Sequence, residues 1–469
     1  MKTRGCGRRS RPDYSRVVLL ALCVAVMGCV PAEAPVAEQP SAWEAGAVLA
    51  TPDAGSVLDL PLCSDPQPAL VTDFEVRTPP ELEEPAPRVP LRDPVFGTCL
   101  VRVTAHTGGL GLKNEYARVQ AFNADGSRIL VMTTESTWVL YDAASLLPLG
   151  PVPTVVEPRW DAEDPDRLYY TDGTRLMAFD TAAGQVSVVR DFADDVAGGD
   201  IAAVWTASEG RPSMDTQVWG LMAEDQDWIP AAFLIYDRVA DSVTVRDMRG
   251  VPGIKDNVDH VTISPLGTHF LASFDRYCEY GELGNDAHPC GLMVYDRELQ
   301  NGRGLLRIIG HYDVALDAAG HEVVIYQDID MDVIAMVDLT SGKVTQLWSI
   351  DFSHTPIGLH FSGLAYDRPG WALVSTYSGG NPTAYTWMDD QVFAVELTAG
   401  GRVVRLAHTR SRVDSDQEHD YWAEPHATVN RDFTRVLFTS NWGRSGTEQV
   451  DMYMVVLPGD WLAPSDVAP

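Results

Sequence analysis

Four of the eleven histidines, His260, His311, His360 and His426, fall at or just ahead of short apolar runs of the same type, and Glu157, Asp313 and Glu424 stand in comparable places. Arg118 and Arg159 lie beside this set. Imidazoles and carboxylates that converge can hold a metal ion or receive an acidic ligand, since neutral imidazole is a good ligand for divalent metals and its cation attracts anions. Sequence spacing alone does not bring these residues together. That task falls to the elements that carry them.

Those elements repeat. The stretch 115–142 holds a short apolar strand, a turn at Asn123-Ala124-Asp125-Gly126, a second strand over 128–133 and a third over 137–141. Asp-Gly between β-rich runs marks a hairpin, because glycine takes positive φ without a steric cost. The pattern recurs from Glu157, Ile201, His260, His311, His360 and Glu424. The third copy carries a long insertion around 210–215. The apolar-apolar-acid ends of the repeats are spaced by about 38 to 61 residues, the range of propeller blades carrying insertions. One such meander cannot bury both its faces, so the copies must stack on one another. Seven copies predict an all-β, seven-bladed β-propeller over residues 98–458. Val101-Arg102-Val103-Thr104 is the expected strand that completes the last blade and closes the ring. In such a ring the residues ahead of each innermost strand meet at one mouth of the central channel.

The repeats resemble those of TolB-like and WD40-like bacterial propellers. Ser264-Pro265-Leu266-Gly267 and Asn123-Ala124-Asp125-Gly126 stand where that family has Ser-Pro-Asp-Gly. Gly310-His311 resembles the Gly-His dipeptide that ties blades together in WD40 repeats, which gives that histidine a structural reading beside the chemical one. Fold likeness says little about function, because propellers host enzymes, binders and scaffolds.

The last repeat, from Glu424-Pro425-His426 to Asn441, resembles the last blade of oligogalacturonate lyases. These propellers hold Mn²⁺ in the channel and cleave uronate oligosaccharides by β-elimination. His426 matches the second histidine of that family's His-Pro-His motif, Glu424 replaces the first, and Tyr421 stands where a glutamine is found. The resemblance implies His426, His360 and Glu424 as ligands of a divalent metal, Mn²⁺ or Ca²⁺. It implies His311 or His260 as the base that removes the proton at C5, and Arg118 and Arg159 as clamps on a second carboxylate.

Two further acidic runs draw notice. Asp328, Asp330 and Asp332 alternate as in a Ca²⁺ loop but lack its glycine and terminal glutamate, so a hairpin with solvent-facing acids fits better. The insertion 414–420 should lie over the mouth, with His419 as an additional ligand candidate. Trp422 and Trp442 could stack on sugar rings. No Gly-x-Ser-x-Gly elbow and no P-loop occurs, which removes serine-hydrolase and nucleotide readings. A formal charge of −31 argues against nucleic acid as a partner.

Residues 1–28 read as an export signal: six basic residues precede an apolar run, 17–27, too short to span a bilayer. Val26-Met27-Gly28-Cys29 resembles a lipoprotein lipobox, which implies lipidation of Cys29. An ordinary cleavage near Ala32-Glu33-Ala34 is the alternative. Val30 in place of aspartate favours the outer membrane by the same analogy. Residues 29–97 are expected to form a flexible tether and N-terminal extension, and 459–469 a tail. Export fits the cysteines. Three pairings of Cys63, Cys99, Cys278 and Cys290 are open. The expected one closes the polar loop between Cys278 and Cys290 and ties Cys63 to Cys99. The expectation is a lipid-anchored envelope propeller, periplasmic or at the cell surface, that binds a ligand or partner at its channel mouth. An acidic oligosaccharide or an envelope protein is the candidate. The alternatives are a metal-dependent uronate lyase and a structural part of an envelope complex.

Overall fold

The computed structural model describes residues 56–57, 63, 70–106, 110–153, 156–255, 257–308, 310–353, 357–378, 385–414 and 417–462. The expected signal segment, Cys29 and most of the proposed tether lie outside them.

Seven antiparallel sheets follow one another along the chain. Blade 1 pairs Leu112–Lys113, Arg128–Thr133, Trp138–Asp142 and Pro148–Pro151. Blades 2 to 6 have inner strands Arg159–Trp160, Ala203–Trp205, Val258–Ile263, Tyr312–Leu316 and Ile357–Ser362, each followed by three more strands. Blade 7 is built from both ends of the chain. From the inside outward it runs Thr428–Val429, Arg435–Ser440, Asp451–Val456, Cys99–Arg102 and Leu91–Arg92. Leu100 lies opposite Val455, so the N-terminal strand closes the ring. Closure leaves no long inner sheet edge exposed.

Alternation within single strands explains the stacking. In Arg128–Thr133, Ile129 and Val131 join an apolar cluster with Leu437 and Met454 of blade 7, while Leu130 and Met132 join one with Leu168 and Phe179 of blade 2. Seven such clusters straddle successive blades all the way round. A strand buried on both faces reads as a continuous apolar run, as these do. The turn ahead of Arg128 is the expected hairpin: Gly126 has φ +69° and Asn123 Oδ1 accepts from the Arg128 amide at 2.8 Å.

Blade 1 departs from expectation. Its inner strand was expected to run from Glu115 to the turn. Only Leu112–Lys113 is paired, with an isolated bridge from Phe122 to Ile129. Residues 114–121 leave the sheet because their polar side chains find partners on blade 7: Asn114 donates to the His426 carbonyl at 2.5 Å, and Gln120 to that of Val429 at 3.2 Å.

The insertion of blade 3, residues 206–217, crosses the channel. The Ser208 amide donates to Glu157 ahead of blade 2 (2.6 Å), Arg211 reaches Asp313 and the Val314 carbonyl of blade 5 (2.5 and 2.6 Å) and the Arg118 carbonyl of blade 1 (3.0 Å). Arg431, in the turn after blade 7's inner strand, donates to the Met214 carbonyl at 2.7 Å. Gly210 approaches so closely that a Cβ there would lie 2.0 Å from the Val261 carbonyl oxygen. The channel is therefore plugged by its own chain.

The disulfides pair Cys63 with Cys99 and Cys278 with Cys290. Residues 70–97 run against blades 6 and 7. Val71 bridges to Arg405, the Arg77 carbonyl meets His408 Nε2 at 2.7 Å, and Glu84 binds Arg444 and the Tyr453 hydroxyl at 2.7 to 2.9 Å. Past the propeller, Trp461 packs edge-on to Phe433 with ring centres 5.0 Å apart.

Candidate functional site at the channel mouth

The histidines at the mouth come from an inner strand or the residues just before it, whereas Tyr116 and Arg118 follow the inner strand of blade 1 and Glu209 belongs to the plug. His360 lies within blade 6's inner strand, and Glu424 and His426 precede that of blade 7. Glu157 and His426 stand two residues ahead of their strands, and both take positive φ, +44° and +43°. Non-glycine residues adopt this conformation at a cost, and such costs concentrate where a side chain must be aimed.

His360, Glu424 and His426 form one cluster, with potential ligand atoms within 4.8 Å of one another. Glu424 Oε2 lies 3.3 Å from His360 Nε2 and 3.5 Å from His426 Nε2. Both imidazoles are buried, at 1% and 0% exposure. All four of their ring nitrogens lack an aligned hydrogen-bond partner. Burial, reinforced by the Arg118 and Lys113 charges, depresses the His360 pKa to about 3. Burial and then the neighbouring His360 push His426 well below the usual range, against the pull of Glu424. Both are neutral near pH 7, the form that ligates metal. Buried donors and acceptors are ordinarily satisfied, so two buried imidazoles without an aligned hydrogen bond, both facing one carboxylate, offer ligand atoms that could hold an ion.

His311 stands beside this cluster, its ring centre 4.3 Å from that of His360 and its Nδ1 3.2 Å from the Tyr116 hydroxyl. Tyr116, which sequence reasoning missed, packs on His426 at 4.8 Å and meets His360 edge-on at 5.5 Å. Lys113, also missed, is fully buried beside the Trp422 ring and donates to the Glu115 carbonyl at 2.9 Å. Burial lowers its amine to about 7. No motif marks Lys113 or Tyr116. Tyr116 lies inside the expected inner strand and Lys113 two residues ahead of it.

His260 and Arg118 form a second group. Arg118 donates to His260 Nε2 at 2.7 Å, so that nitrogen is an acceptor and the ring proton sits on Nδ1, which faces Asp259 at 3.2 Å. The lone pair a base would use is thereby occupied. Glu209, Asp259 and His260 could by spacing hold an ion, yet the Arg118 guanidinium already fills the place of the cation, 3.2 Å from Glu209. Arg159 spends its donors on its own chain. It binds Glu115 at 2.8 Å and the carbonyls of Pro158, Ser208 and Gly210 at 2.9 Å. Four of its five N–H donors are spent this way, so it fastens the plug. Burial raises the Glu115 carboxyl to about 7 in spite of this arginine.

Other candidates lie apart from the cluster. His419 is half exposed and pairs with Glu448 at 2.9 Å. Trp442 stacks on Tyr453 (4.8 Å) and has Arg410 over its ring (5.3 Å). It lines a groove of about 650 Å³ between residues 79–83 and blades 6 and 7. Asp330 is held by Arg307 at 2.5 Å on a hairpin, not in an ion loop.

No family model and no curated protein matches the sequence. Among solved structures the chain is similar to the oligogalacturonate lyase of Vibrio parahaemolyticus, with 11% identity, a TM-score of 0.54, and coverage of 84% of this chain and 99% of that one. TolB of Acinetobacter baumannii is 15% identical, with a TM-score of 0.34 over 63% of each chain. The hydrazine synthase of Kuenenia stuttgartiensis is 12% identical, with a TM-score of 0.43 over 74% of this chain and 98% of that one. At these identities the likeness to the lyase establishes the propeller fold, and the other two carry no argument about function.

Proposed function

We propose that the protein is an envelope-anchored binding propeller that seats a divalent transition metal on His360, His426 and Glu424 and receives an acidic ligand at the unplugged mouth of its channel. One observation carries this reading: two buried imidazoles whose Nε2 atoms face a single carboxylate at 3.3 and 3.5 Å with no aligned hydrogen bond. Two nitrogens and one oxygen suit Mn²⁺ or Zn²⁺. They suit Ca²⁺ poorly, since it takes six or more oxygens. When bound, the ion would act as a Lewis acid toward the ligand's carboxylate. Glu424 would offset part of the ion's charge, and Lys113 and Arg118 would keep the mouth attractive to anions in an otherwise acidic protein. Lipidation of Cys29 would hold the propeller at the outer membrane.

A second reading, β-elimination of uronate oligosaccharides, is favoured by the Tyr116–His311 hydrogen bond next to His360. These are two groups able to pass a proton at the edge of the cluster. His311 would take the proton at C5, α to the uronate carboxylate, the C4–C5 double bond would form as the C4–O bond breaks, and the departing sugar oxygen would take a proton from the Tyr116 hydroxyl or water.

Elemental analysis of purified residues 30–469, beside His426→Ala, tests the first reading. About one Mn²⁺ or Zn²⁺ per chain, lost in the variant, supports it. No metal in either, even after soaking, sinks it. Incubating the metal-loaded protein with oligogalacturonides and following the absorbance of an unsaturated product separates lyase from binder.

A further inference from the structure

The Arg118 guanidinium is held in place with one of its donors unused. It lies between two tyrosine rings, 5.2 Å from the centre of Tyr116 and 4.5 Å from that of Tyr312. Stacking of this kind holds the planar fork in one orientation, and a fixed fork loses little entropy on meeting a carboxylate. His260 and the Tyr312 hydroxyl brace it from the side, each within 2.7 Å of its neighbour. The side chain is 4% exposed, yet Nε has no hydrogen-bond partner. Among the described residues its carboxylate neighbour within ion-pair distance is Glu209, whose Oε2 lies 3.2 Å from Nη2 while Nε makes no hydrogen bond. A guanidinium offers Nε and Nη2 as a matched pair of donors on one edge, and a carboxylate normally takes both. Here the edge is half used.

Glu209 differs from its surroundings. Its side chain is 28% exposed, whereas Arg118 and His260 are enclosed, so the seat has a route to solvent through Glu209 itself. It belongs to the plug, next to Ala207 and Ser208, whose backbones hold φ of +61° and +71°. The rest of the plug is fastened to the inner strands by backbone and arginine hydrogen bonds, while Glu209 is held by Arg118 and, at 3.7 Å, by His260. It can leave without unfastening the plug.

We propose that the Nε/Nη2 edge of Arg118 is a carboxylate-binding seat, and that Glu209 is an internal carboxylate resting on it that an incoming acidic ligand displaces. The ligand class is an anionic sugar or another carboxylate small enough to enter a channel closed at the far end. The inference shares the acidic ligand of the reading above and is independent of its metal.

The sign of one variant decides the matter. If Glu209 competes with the ligand, Glu209→Gln tightens binding. If Glu209 only positions Arg118, the same change weakens it. The probe is trigalacturonate, titrated calorimetrically into the full mature chain in EDTA, with neutral galactotriose as control. Expected is a gain of about fivefold for Glu209→Gln, the scale of one partly exposed ion pair, a loss of binding for Arg118→Lys, and no heat from galactotriose. Equal or weaker binding by Glu209→Gln at an unchanged melting temperature overturns the proposal, as does equal binding of the neutral sugar or no binding at all. Metal content is read separately. A gain without bound metal removes the metal site and keeps this seat, and metal without a gain does the reverse.

Discussion

Arg211 of blade 3 reaches across the channel to Asp313 of blade 5, with Nη1 2.5 Å from Oδ1 and both side chains buried. The carboxylate also accepts from the amides of Val314 (2.8 Å) and Gly363 (2.6 Å), and the arginine donates from the same Nη1 to the Arg118 carbonyl and from Nη2 to that of Val314. Truncating the arginine strands a buried charge, which costs far more than the pair contributes when whole. Arg211→Ala is expected to lower unfolding stability by about 3 to 5 kcal/mol. Urea unfolding would show this, and a loss under about 1 kcal/mol would mean the plug is not a structural tie.

The histidine cluster carries an unusual expectation for the metal-free protein. Unpartnered buried nitrogens are a liability, so replacing one ring by an apolar ring of similar shape should cost little. His360→Phe should melt within a few degrees of wild type in EDTA. Added Mn²⁺ or Zn²⁺ at a hundredfold excess over its dissociation constant should stabilise the wild type by about 2.7 kcal/mol and leave the variant unmoved. Equal metal shifts in both proteins would show that the ion binds elsewhere.

These residues show where sequence reasoning reached and where it stopped. Blade count and ring closure were legible because the second strand of each blade is a largely apolar run next to a turn, as in Arg128–Thr133, Phe270–Phe274 and Arg435–Ser440, and Cys99–Arg102 has the same character as the strands it joins. The meeting of His360, Glu424 and His426 could be anticipated because position relative to a strand start fixes where a side chain lies in a ring. Tyr116 escaped because residues 114–121 leave the sheet for partners on blade 7, more than 300 positions away, and Lys113 because the true inner strand lies ahead of the expected one. Arg159 looked like a clamp because nothing local reveals that Ser208 and Gly210 would come to it. Local pattern encodes the blades, whereas the plug and its arginines depend on contacts that only the closed ring creates.

His408 makes the junction with residues 70–97 sensitive to acid. Its Nε2 meets the Arg77 carbonyl at 2.7 Å and must donate, while Nδ1 is buried without a partner. Burial depresses its pKa from 6.5 to about 4. The unfolded chain therefore binds the extra proton first. This contribution is whole above about pH 6.5 and shrinks as pH falls toward 4, by up to about 3 kcal/mol. His408→Gln keeps a donor for Arg77 and cannot titrate. Urea unfolding at pH 7, 5.5 and 4.5 should show a shallower acid loss in the variant, and parallel curves would remove His408 from the account.

The two disulfides should contribute unequally. Cys63 and Cys99 are 36 positions apart, and Cys278 and Cys290 are 12 apart. Restriction of the unfolded chain gives about 4 kcal/mol for the longer loop and about 3 for the shorter. Position widens the gap. Cys99 opens the strand that pairs with Asp451–Val456 and closes the ring, so its loss also loosens blade 7, whereas the shorter bridge closes a surface loop within blade 4. Paired serine substitutions at Cys63 and Cys99 should therefore lower the melting temperature more than paired substitutions at Cys278 and Cys290. The reverse order would mean that hydrogen bonding between the first strand and blade 7 closes the ring unaided.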